Sequence, residues 1–351
     1  MLVERSNIRL ESVTSERQPK YKQQARNRFW EVRMAVDVNH RKVAIVGVGF
    51  VGSATAFALS QSGLFSEMVL IDADPSKAEG EAMDISHGIP FTKPMKIYAG
   101  TYDDVADAAI CVVTAGAGQK PGETRLDLVY KNVGIFKSII PEIAKRDFGG
   151  ILLIVANPVD VLTLAALKLS GLPENRVIGS GTVLDSARLK TELGQHLGID
   201  SRSVHAFIIG EHGDSEIAAF SSANVSGIPL NTFCEMRGHF QHEESEKAIA
   251  ERVKNAAYEI IKRKHATYYG VAVAVKRICE VIIRDEKSIL PVSSMMHGEH
   301  GIDGVCLSMP AIVGAKGLET KVPISLDEEE IQALQESART LKEVVDTISF
   351  L

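Results

Sequence analysis

Residues 42–52 read KVAIVGVGFVG. The apolar run after Lys42 is typical of a parallel strand that is buried on both faces. Gly47, Gly49 and Gly52 follow at the G-x-G-x-x-G spacing and open a stretch with a helical pattern. Glycines at these positions permit a tight turn and a close approach to the backbone, and a helix N-terminus attracts a pyrophosphate group. The stretch therefore predicts a strand–turn–helix unit that binds a dinucleotide.

An acidic residue stands where such a unit needs one. Asp72 lies 20 residues after Gly52, at the end of the second predicted strand. A carboxylate there accepts hydrogen bonds from the ribose hydroxyls and repels a 2′-phosphate, so we expect NAD rather than NADP. A glycine-rich turn without a ligand is the alternative, and the strand, the spacing and Asp72 together count against it.

The chain around this unit alternates between strand and helix patterns. The predicted strands are 42–47, 68–72, 96–99, 109–114, 151–155 and 176–178, and the predicted helices are 51–62, 77–86, 126–145, 159–169 and 183–197. Later come the strands 205–209, 217–222, 288–296 and 305–313 and the helices 243–262, 269–283 and 327–348, the last with Asp327 as N-cap. We therefore expect an α/β fold: a doubly wound parallel sheet in residues 41–181, then a mixed α+β catalytic domain in residues 182–351.

Residues 1–40 lack this periodicity. The first 33 carry eight Lys or Arg against four Asp or Glu, without the apolar core of a secretory signal. A transit peptide would be poor in acidic residues. We expect a disordered or loosely helical extension, or a translation start at Met34, and both interpretations stay open.

The composition excludes several classes of protein. The net charge of −6 provides no basic field for nucleic acid or for an anionic membrane surface. No apolar run approaches the roughly 20 residues that span a bilayer. The four cysteines, Cys111, Cys234, Cys279 and Cys306, are too far apart for a disulfide framework or a zinc site. A reducing cytoplasm is the expected compartment.

A histidine turn is the strongest candidate for chemistry. Residues 210–214 read GEHGD and directly follow the apolar run 206–209. A histidine held in a glycine turn at a strand end suits proton transfer near neutral pH, although many such histidines are structural. Asp185 and Arg188 share one helix face, so Asp185 could orient the His212 imidazole and Arg188 could grip a substrate carboxylate. A plain surface ion pair is the alternative for these two residues.

Three further stretches attract attention. Residues 114–125, TAGAGQKPGETR, form either a mobile lid or a plain polar loop. The Asn157-Pro158-Val159-Asp160 stretch follows a strand at the edge where ligands bind in open sheets, or it merely ends that strand. Residues 298–301 repeat the GEHG string, but we assign His297 and His300 to a turn. They lack partners at ligand spacing, so we predict no metal site.

Together these motifs resemble the L-lactate dehydrogenase family of the lactate/malate dehydrogenase superfamily, from about Lys42 to the C-terminus. The resemblance implies a Rossmann domain that binds NAD, a mixed catalytic domain, and a cytoplasmic homotetramer. It also implies a role for each matching residue. His212 is the proton donor and acceptor, Asp185 is its carboxylate partner, and Arg125 polarises the reacting carbonyl. The implied substrate residues are Gln119, Arg125, Asn157, Asp160, Arg188 and Thr267. The implied cofactor residues are Gly47, Gly49, Val51, Gly52, Asp72, Lys77, Tyr102, Gly116, Ala117, Ser138, Ala156, Asn157 and Ser180.

Gln119 bears on the substrate. It stands at the loop position where malate enzymes of the superfamily usually carry arginine. A neutral amide suits the methyl group of pyruvate, whereas the second carboxylate of oxaloacetate would stay uncompensated once desolvated. We therefore expect reversible hydride transfer between NADH and pyruvate, giving (S)-lactate and NAD⁺. The alternatives are a dehydrogenase for malate or a bulkier 2-hydroxy acid, and a non-catalytic NAD-binding scaffold.

The chain departs from the family at two places. Many bacterial members bind fructose 1,6-bisphosphate between subunits through an arginine and a histidine. Here these positions hold Lys190 and His205, and lysine meets a phosphate only as a point charge. Allosteric control through this pair stays open. His265 stands where the family usually has glycine, so the backbone near the pocket can differ.

Overall fold

Strands and helices alternate through the first half of the chain. A computed structural model describes residues 37–118, 122 and 124–348, without the side chain of Arg125. The strands are β1 Asn39–Val46, β2 Glu67–Ile71, β3 Lys96–Ala99, β4 Ala108–Val113, β5 Ile151–Ile154, β6 Val177–Gly179, β7 Val204–His205, β8 Ile208–Ile209, β9 Ile217–Ala218, β10 Asn224–Val225, β11 Ile228–Pro229, β12 Ser288–His297, β13 Asp303–Gly314 and β14 Gly317–Lys321. The α-helices are α1 Phe50–Ser60, α2 Pro75–His87, α3 Arg125–Ala144, α4 Val159–Ser170, α5 Val183–Leu197, α6 Leu230–Met236, α7 His242–Lys264, α8 Tyr269–Ile283 and α9 Glu328–Asp346.

Six parallel strands form the sheet that the alternation predicts. They are hydrogen-bonded in the order β6-β5-β4-β1-β2-β3. The strand order reverses between β1 and β4, where Val43 pairs with Met68 on one side and with Ile110 on the other. In doubly wound folds, ligands bind in the crevice beyond the carboxyl ends of the strands at this reversal. The predicted fold class is confirmed.

The same sheet continues into the C-terminal half of the chain. The antiparallel strands β12, β13 and β14 extend it beyond β6, where Ser293 pairs with Gly179. A Cβ on Gly179 would lie 2.8 Å from the Cβ of Ser293, so only glycine allows this approach. Pattern analysis predicts the strands 288–296 and 305–313 but not their attachment to the parallel sheet. The sheet therefore spans both predicted domains.

The core occupies both faces of the sheet. Ala44 and Val46 of β1 belong to one apolar cluster, and Val43 and Ile45 belong to the other. Successive side chains of a strand point to opposite faces, so helices must cover both sides of such a strand. A third cluster lies around Leu189 between α5 and α7. This two-sided burial keeps the strand ends in place.

Several local predictions need correction. The predicted strand 205–209 is two short strands, since β7 pairs with β10 and β8 pairs with β9. Strand β1 already begins at Asn39, which pairs with Ala108, so the extension predicted for residues 1–40 ends too late. Residues 1–36 of that extension lie outside the described residues. Helix α6 and strands β10, β11 and β14 escaped the sequence analysis.

Two other predictions concern bilayer spans and cysteines. None of the helices that the structure describes has both the length and the apolar character to span a bilayer. All four cysteines are free and buried.

Helix α9 begins as predicted, because Asp327 accepts a hydrogen bond from the backbone N–H of Glu330 and thereby caps the helix.

Candidate active site

The glycine turn between β1 and α1 forms an open cradle. Gly47 has a φ of +93°, and a Cβ there would lie 2.5 Å from the backbone nitrogen of Ala115. A Cβ on Gly52 would lie 1.9 Å from the carbonyl oxygen of Gly47. Gly49 is exposed, and within the described residues nothing lies close to its Cβ position and no side chain caps the N-terminus of α1. The first-turn amides therefore face space that an anionic group can fill.

Asp72 braces this turn from the end of β2. Its Oδ2 accepts a hydrogen bond of 2.8 Å from the backbone N–H of Val48, and its Oδ1 accepts one of 3.1 Å from Asp74. The carboxylate is partly exposed, and each oxygen keeps a second lone pair for a hydroxyl donor. The glycines and Asp72 thus fit the pyrophosphate and ribose of a dinucleotide.

Buried Asn132 on α3 connects the loops that follow β4 and β5. Its Oδ1 accepts a hydrogen bond of 2.8 Å from the backbone of Ala117, and its Nδ2 donates one of 2.7 Å to the carbonyl oxygen of Asn157. Gly116 lies in the same loop as Ala117, and a Cβ on it would lie 3.4 Å from Ala156. Sequence analysis missed Asn132, although a polar residue on the apolar face of a helix is a usable signal.

The remaining predicted cofactor residues lie on several different elements. Ser180 follows β6 at the same sheet edge, and its backbone N–H donates to Ile154. Lys77 is exposed on α2, and Tyr102 is half-buried with the Arg146 guanidinium 5.7 Å from its ring. Ser138 lies 13 residues into α3, roughly 20 Å along the helix from its start, and its hydroxyl donates to Ile135. Among the described residues, no hydrogen bond joins Ser138 to the glycine turn.

The structure brings three of the predicted residues together at a second position. Helix α5 carries Asp185 and, one turn later, Arg188. Asp185 Oδ2 lies 2.6 Å from His212 Nδ1, and Asp185 Oδ1 accepts a hydrogen bond of 2.7 Å from Arg188. The carboxylate is buried, with 1% of its side chain exposed. One carboxylate therefore orients both an imidazole and a guanidinium.

The charges of this cluster favour a protonated imidazole. Burial is the largest single influence and disfavours the charged form of His212, but the adjacent Asp185 carboxylate, with smaller contributions from Asp160 and Glu216, raises the pKa of His212 to about 9. Burial likewise opposes ionisation of Asp185, yet His212 and Arg188 hold the pKa of this carboxyl below its usual value. At neutral pH the cluster contains an imidazolium, a carboxylate and a guanidinium, so a proton is available for donation.

Asp160 holds the backbone of the histidine turn. Its Oδ2 accepts a hydrogen bond of 2.8 Å from the backbone N–H of His212, and its Oδ1 accepts one of 2.5 Å from Ser293 on β12. It is 1% exposed, and burial raises the pKa of its carboxyl to about 6. Sequence analysis predicts a substrate contact for Asp160. The structure instead places it beneath the turn, with both oxygens engaged by protein donors.

The cluster opens onto a cleft of about 990 Å³. Its lining includes Asn157, Arg188, His212, Glu216 and Lys254. Leu128, one turn after the start of α3, also lines the cleft, so the backbone of Arg125 lies near it. The side chain of Arg125 and all of Gln119 lie outside the described residues. Thr267 lies between α7 and α8 and does not belong to the described lining of the cleft.

The other predicted residues lie elsewhere. Lys190 Nζ lies 5.8 Å from the ring of Phe207, and burial lowers the pKa of this lysine. His205 is exposed on β7, which packs against α5. His297 ends β12 and contacts Glu174 at 2.6 Å. The predicted assignment of His297 to a turn is therefore wrong.

The fold and this cluster define a doubly wound α/β protein with an acid–base site beside a dinucleotide cradle. Residues 41–179 match the family described as "lactate/malate dehydrogenase, NAD binding domain", and residues 182–350 match its "alpha/beta C-terminal domain". The chain belongs to the lactate/malate dehydrogenase family. It is therefore an NAD-dependent oxidoreductase.

Individual relatives are similar over most of the chain. The L-lactate dehydrogenase of Acetivibrio thermocellus is 54% identical over 308 residues, which cover 88% of this chain and 97% of the relative. L-lactate dehydrogenase 1 of Clostridium acetobutylicum is 52% identical over 307 residues, covering 88% and 98%. The crystal structure of minor L-lactate dehydrogenase from Enterococcus mundtii with bound ligands superposes with a TM-score of 0.85 at 43% identity, covering 88% and 98%.

Proposed function

We propose that this chain is an L-lactate dehydrogenase, which interconverts pyruvate and (S)-lactate. The observation that carries the proposal is the His212–Asp185–Arg188 cluster at the cleft, which pairs a proton donor with a cation for a carboxylate. The printed names of its relatives support the same substrate pair.

The proton is transferred at a defined atom of His212. Its Nδ1 is engaged by Asp185 at 2.6 Å, so Nε2 is the nitrogen that exchanges a proton with the substrate oxygen. Asp185 stabilises the imidazolium before transfer, and Asp160 holds the turn that carries the ring. When bound, NAD supplies the hydride acceptor or donor. Loss of such a general acid typically lowers the rate by about 10²- to 10⁴-fold.

Arg188 is the proposed site for the substrate carboxylate. One of its nitrogens is held by Asp185 at 2.7 Å, which fixes the plane of the guanidinium. The remaining N–H groups of a cleft-lining arginine offer the forked geometry that a carboxylate accepts. We also propose, from the family resemblance, that Arg125 polarises the carbonyl, that Asn157 and Thr267 contact the substrate, and that Gln119 faces its methyl group.

The proposed NAD site uses the cradle between β1 and α1. Gly47, Gly49, Val51 and Gly52 would hold the pyrophosphate, and Asp72 would accept hydrogen bonds from the ribose. The other proposed residues are Lys77, Tyr102, Gly116, Ala117, Ser138, Ala156, Asn157 and Ser180. We also propose a division into an NAD-binding domain, 41–181, and a catalytic domain, 182–351. The two family matches meet near this boundary.

The deciding experiment measures loss of NADH absorbance with a panel of 2-oxo acids. We expect rapid pyruvate-dependent oxidation that a His212→Ala variant loses, while NADH binding by fluorescence is retained. Faster turnover of oxaloacetate or of a bulkier 2-oxo acid would favour the alternative substrates. NADH binding without oxidation of any 2-oxo acid would favour a non-catalytic scaffold.

A homotetramer in the cytoplasm is the proposed working form. Helices α1 and α8 pack side by side and expose large apolar side chains: Phe50, Phe57, Tyr269 and Val273 are each at least 58% exposed. Apolar patches of this kind mark protein interfaces, and a second copy of the chain would cover them. Light scattering after gel filtration should give a tetramer mass, and Phe57→Glu should reduce it. A monomer at every concentration would contradict the proposal.

Regulation by fructose 1,6-bisphosphate is a further proposal. Lys190 and His205 lie on α5 and β7, which pack together, and they would contact the phosphates, Lys190 as a point charge. The sugar bisphosphate should lower the apparent KM for pyruvate, and His205→Ala should abolish this response. No response, or one that survives His205→Ala, would count against it.

A further inference from the structure

Glu216 lies beside the acid–base pair. It lies four residues after His212 and lines the cleft. One carboxylate oxygen of Asp185, one ring nitrogen of His212 and one carboxylate oxygen of Glu216 all lie within 4.8 Å of one another. The Oε1 of Glu216 is buried, and no hydrogen-bond partner for it exists within the described part of the chain. The mechanism above assigns no role to this carboxyl.

The two carboxyl groups have unequal surroundings. Asp185 receives one contact from His212 and one from Arg188, whereas Glu216 Oε1 receives none from any residue that the structure describes. Ionising both of two carboxyl groups that lie this close together costs electrostatic free energy, so the group with fewer hydrogen-bond donors keeps its proton. Burial first, and then the charge of Asp185, raise the pKa of Glu216 to about 8.

Other charged groups face Glu216 from each packed element. Arg188 on α5, His212 on the same loop and Lys254 on α7 all favour its ionised form. Asp214 on the same loop accepts a hydrogen bond of 2.7 Å from Tyr258 on α7. The three cations are outweighed by burial and by Asp185, so the neutral form of Glu216 persists around neutral pH.

We propose that Glu216 is a positioning residue that stores a second proton beside His212 and thereby sets the pH at which His212 becomes a base. This inference rests on the proposed function, because it concerns the same proton transfer. The two groups titrate as a pair, in two macroscopic steps. An ionised Glu216 stabilises the His212 imidazolium, so the neutral imidazole that lactate oxidation needs forms only at higher pH.

The first test is the pH profile of kcat/KM for lactate oxidation in Glu216→Gln. The amide cannot ionise, so the midpoint of the profile should fall by about one pH unit or more. Pyruvate reduction near pH 6 should change by less than about threefold, since Glu216 is already neutral there. Glu216→Asp should restore part of the wild-type midpoint.

A matched control removes a carboxylate elsewhere. Glu192 on α5 pairs with Arg252 at 2.6 Å, so Glu192→Gln makes the same substitution away from the acid–base pair and should leave the midpoint in place. A Glu216→Gln midpoint equal to that of wild type, with pyruvate reduction intact, overturns the inference and leaves the proposed function standing. Absence of pyruvate-dependent NADH oxidation in the wild type would instead refute the proposed function.

A second measurement does not depend on turnover. In protein labelled with ¹³C at glutamate carboxyl groups, one resonance should titrate near pH 8. That resonance should be absent in Glu216→Gln. If this variant does not fold, the resonance should likewise be absent in Glu216→Asp, because the aspartate carries no label. A Glu216 resonance that titrates near the ordinary glutamate pKa would overturn the inference.

Discussion

The backbone N–H of His212 donates a hydrogen bond of 2.8 Å to Oδ2 of Asp160, and the carboxylate itself is buried. This contact joins the histidine turn to the first turn of α4. The other oxygen accepts a hydrogen bond from Ser293, so β12 is joined to the same point. The imidazole is therefore held twice, by Asp160 through the backbone and by Asp185 through the ring.

Replacing this anchor should misplace the imidazole. In Asp160→Asn, one of the two donors, His212 N–H or Ser293 Oγ, must face an amide NH₂. An unsatisfied buried polar group costs about 1–3 kcal/mol. We expect kcat for pyruvate reduction to fall at least tenfold, with a smaller change in KM, because Arg188 is untouched. Ser293→Ala removes one donor only and is the milder control. An unchanged kcat would refute the anchoring role.

Removing the charge of Asp185 should affect both proton donation and substrate binding. In Asp185→Asn the pKa of His212 loses the contribution that raises it, so the imidazolium becomes scarce at neutral pH. We expect kcat/KM for pyruvate to fall by about 10²-fold or more, measured by steady-state kinetics. Asp200→Asn breaks an exposed pair with Arg202 and should leave activity intact. Equal effects of both variants would contradict the assignment.

The pH dependence should differ in sign between the two directions. Pyruvate reduction uses the imidazolium, so its rate should fall as pH rises through about 9, while lactate oxidation should rise over the same range. The raised pKa also contributes stability that is complete below about 6.5 and is lost as pH rises through about 9. Tm measured from pH 6 to 10 should decline less in His212→Ala. A Tm that rises across this window would contradict the pair.

Gln119 offers a test of substrate choice. Gln119→Arg supplies a cation for a second carboxylate, so the ratio of kcat/KM for oxaloacetate over pyruvate should rise by tenfold or more. Gln119→Glu introduces the opposite charge at the same position and should not raise this ratio. If neither substitution changes the ratio, the residue does not face the substrate.

His265 provides a test of backbone strain. It ends α7 with a φ of +68°, a conformation that glycine adopts without a steric penalty. His265→Gly should raise the free energy of unfolding by about 0.5–1 kcal/mol, measured by urea denaturation. Lys262→Gly, within the last turn of α7, should lower it by about 1 kcal/mol. A loss of stability in His265→Gly would show that the imidazole makes a compensating contact.

Much of this architecture could be predicted because it is local. The apolar run into Gly47 and the helix pattern after it depend on neighbours in the chain, and they place the dinucleotide cradle without coordinates. Asp185 and Arg188 share a face for the same reason, since residues three apart on a helix lie side by side. The helix start at Asp327 likewise follows from a capping side chain that bonds three residues onward.

Long-range contacts could not be predicted in this way. Ser293 lies 133 residues from Asp160, and no periodic pattern pairs them or joins β12 to β6. The family resemblance implies a substrate contact for Asp160, whereas the structure buries this carboxylate beneath the histidine turn. Sequence reasoning also passed over Glu216 and Asn132. Patterns along the chain determine which groups are present and which element carries each. Burial, and the donors that reach each group from distant segments, determine which groups are charged and which face the substrate, because both depend on contacts that exist only after folding.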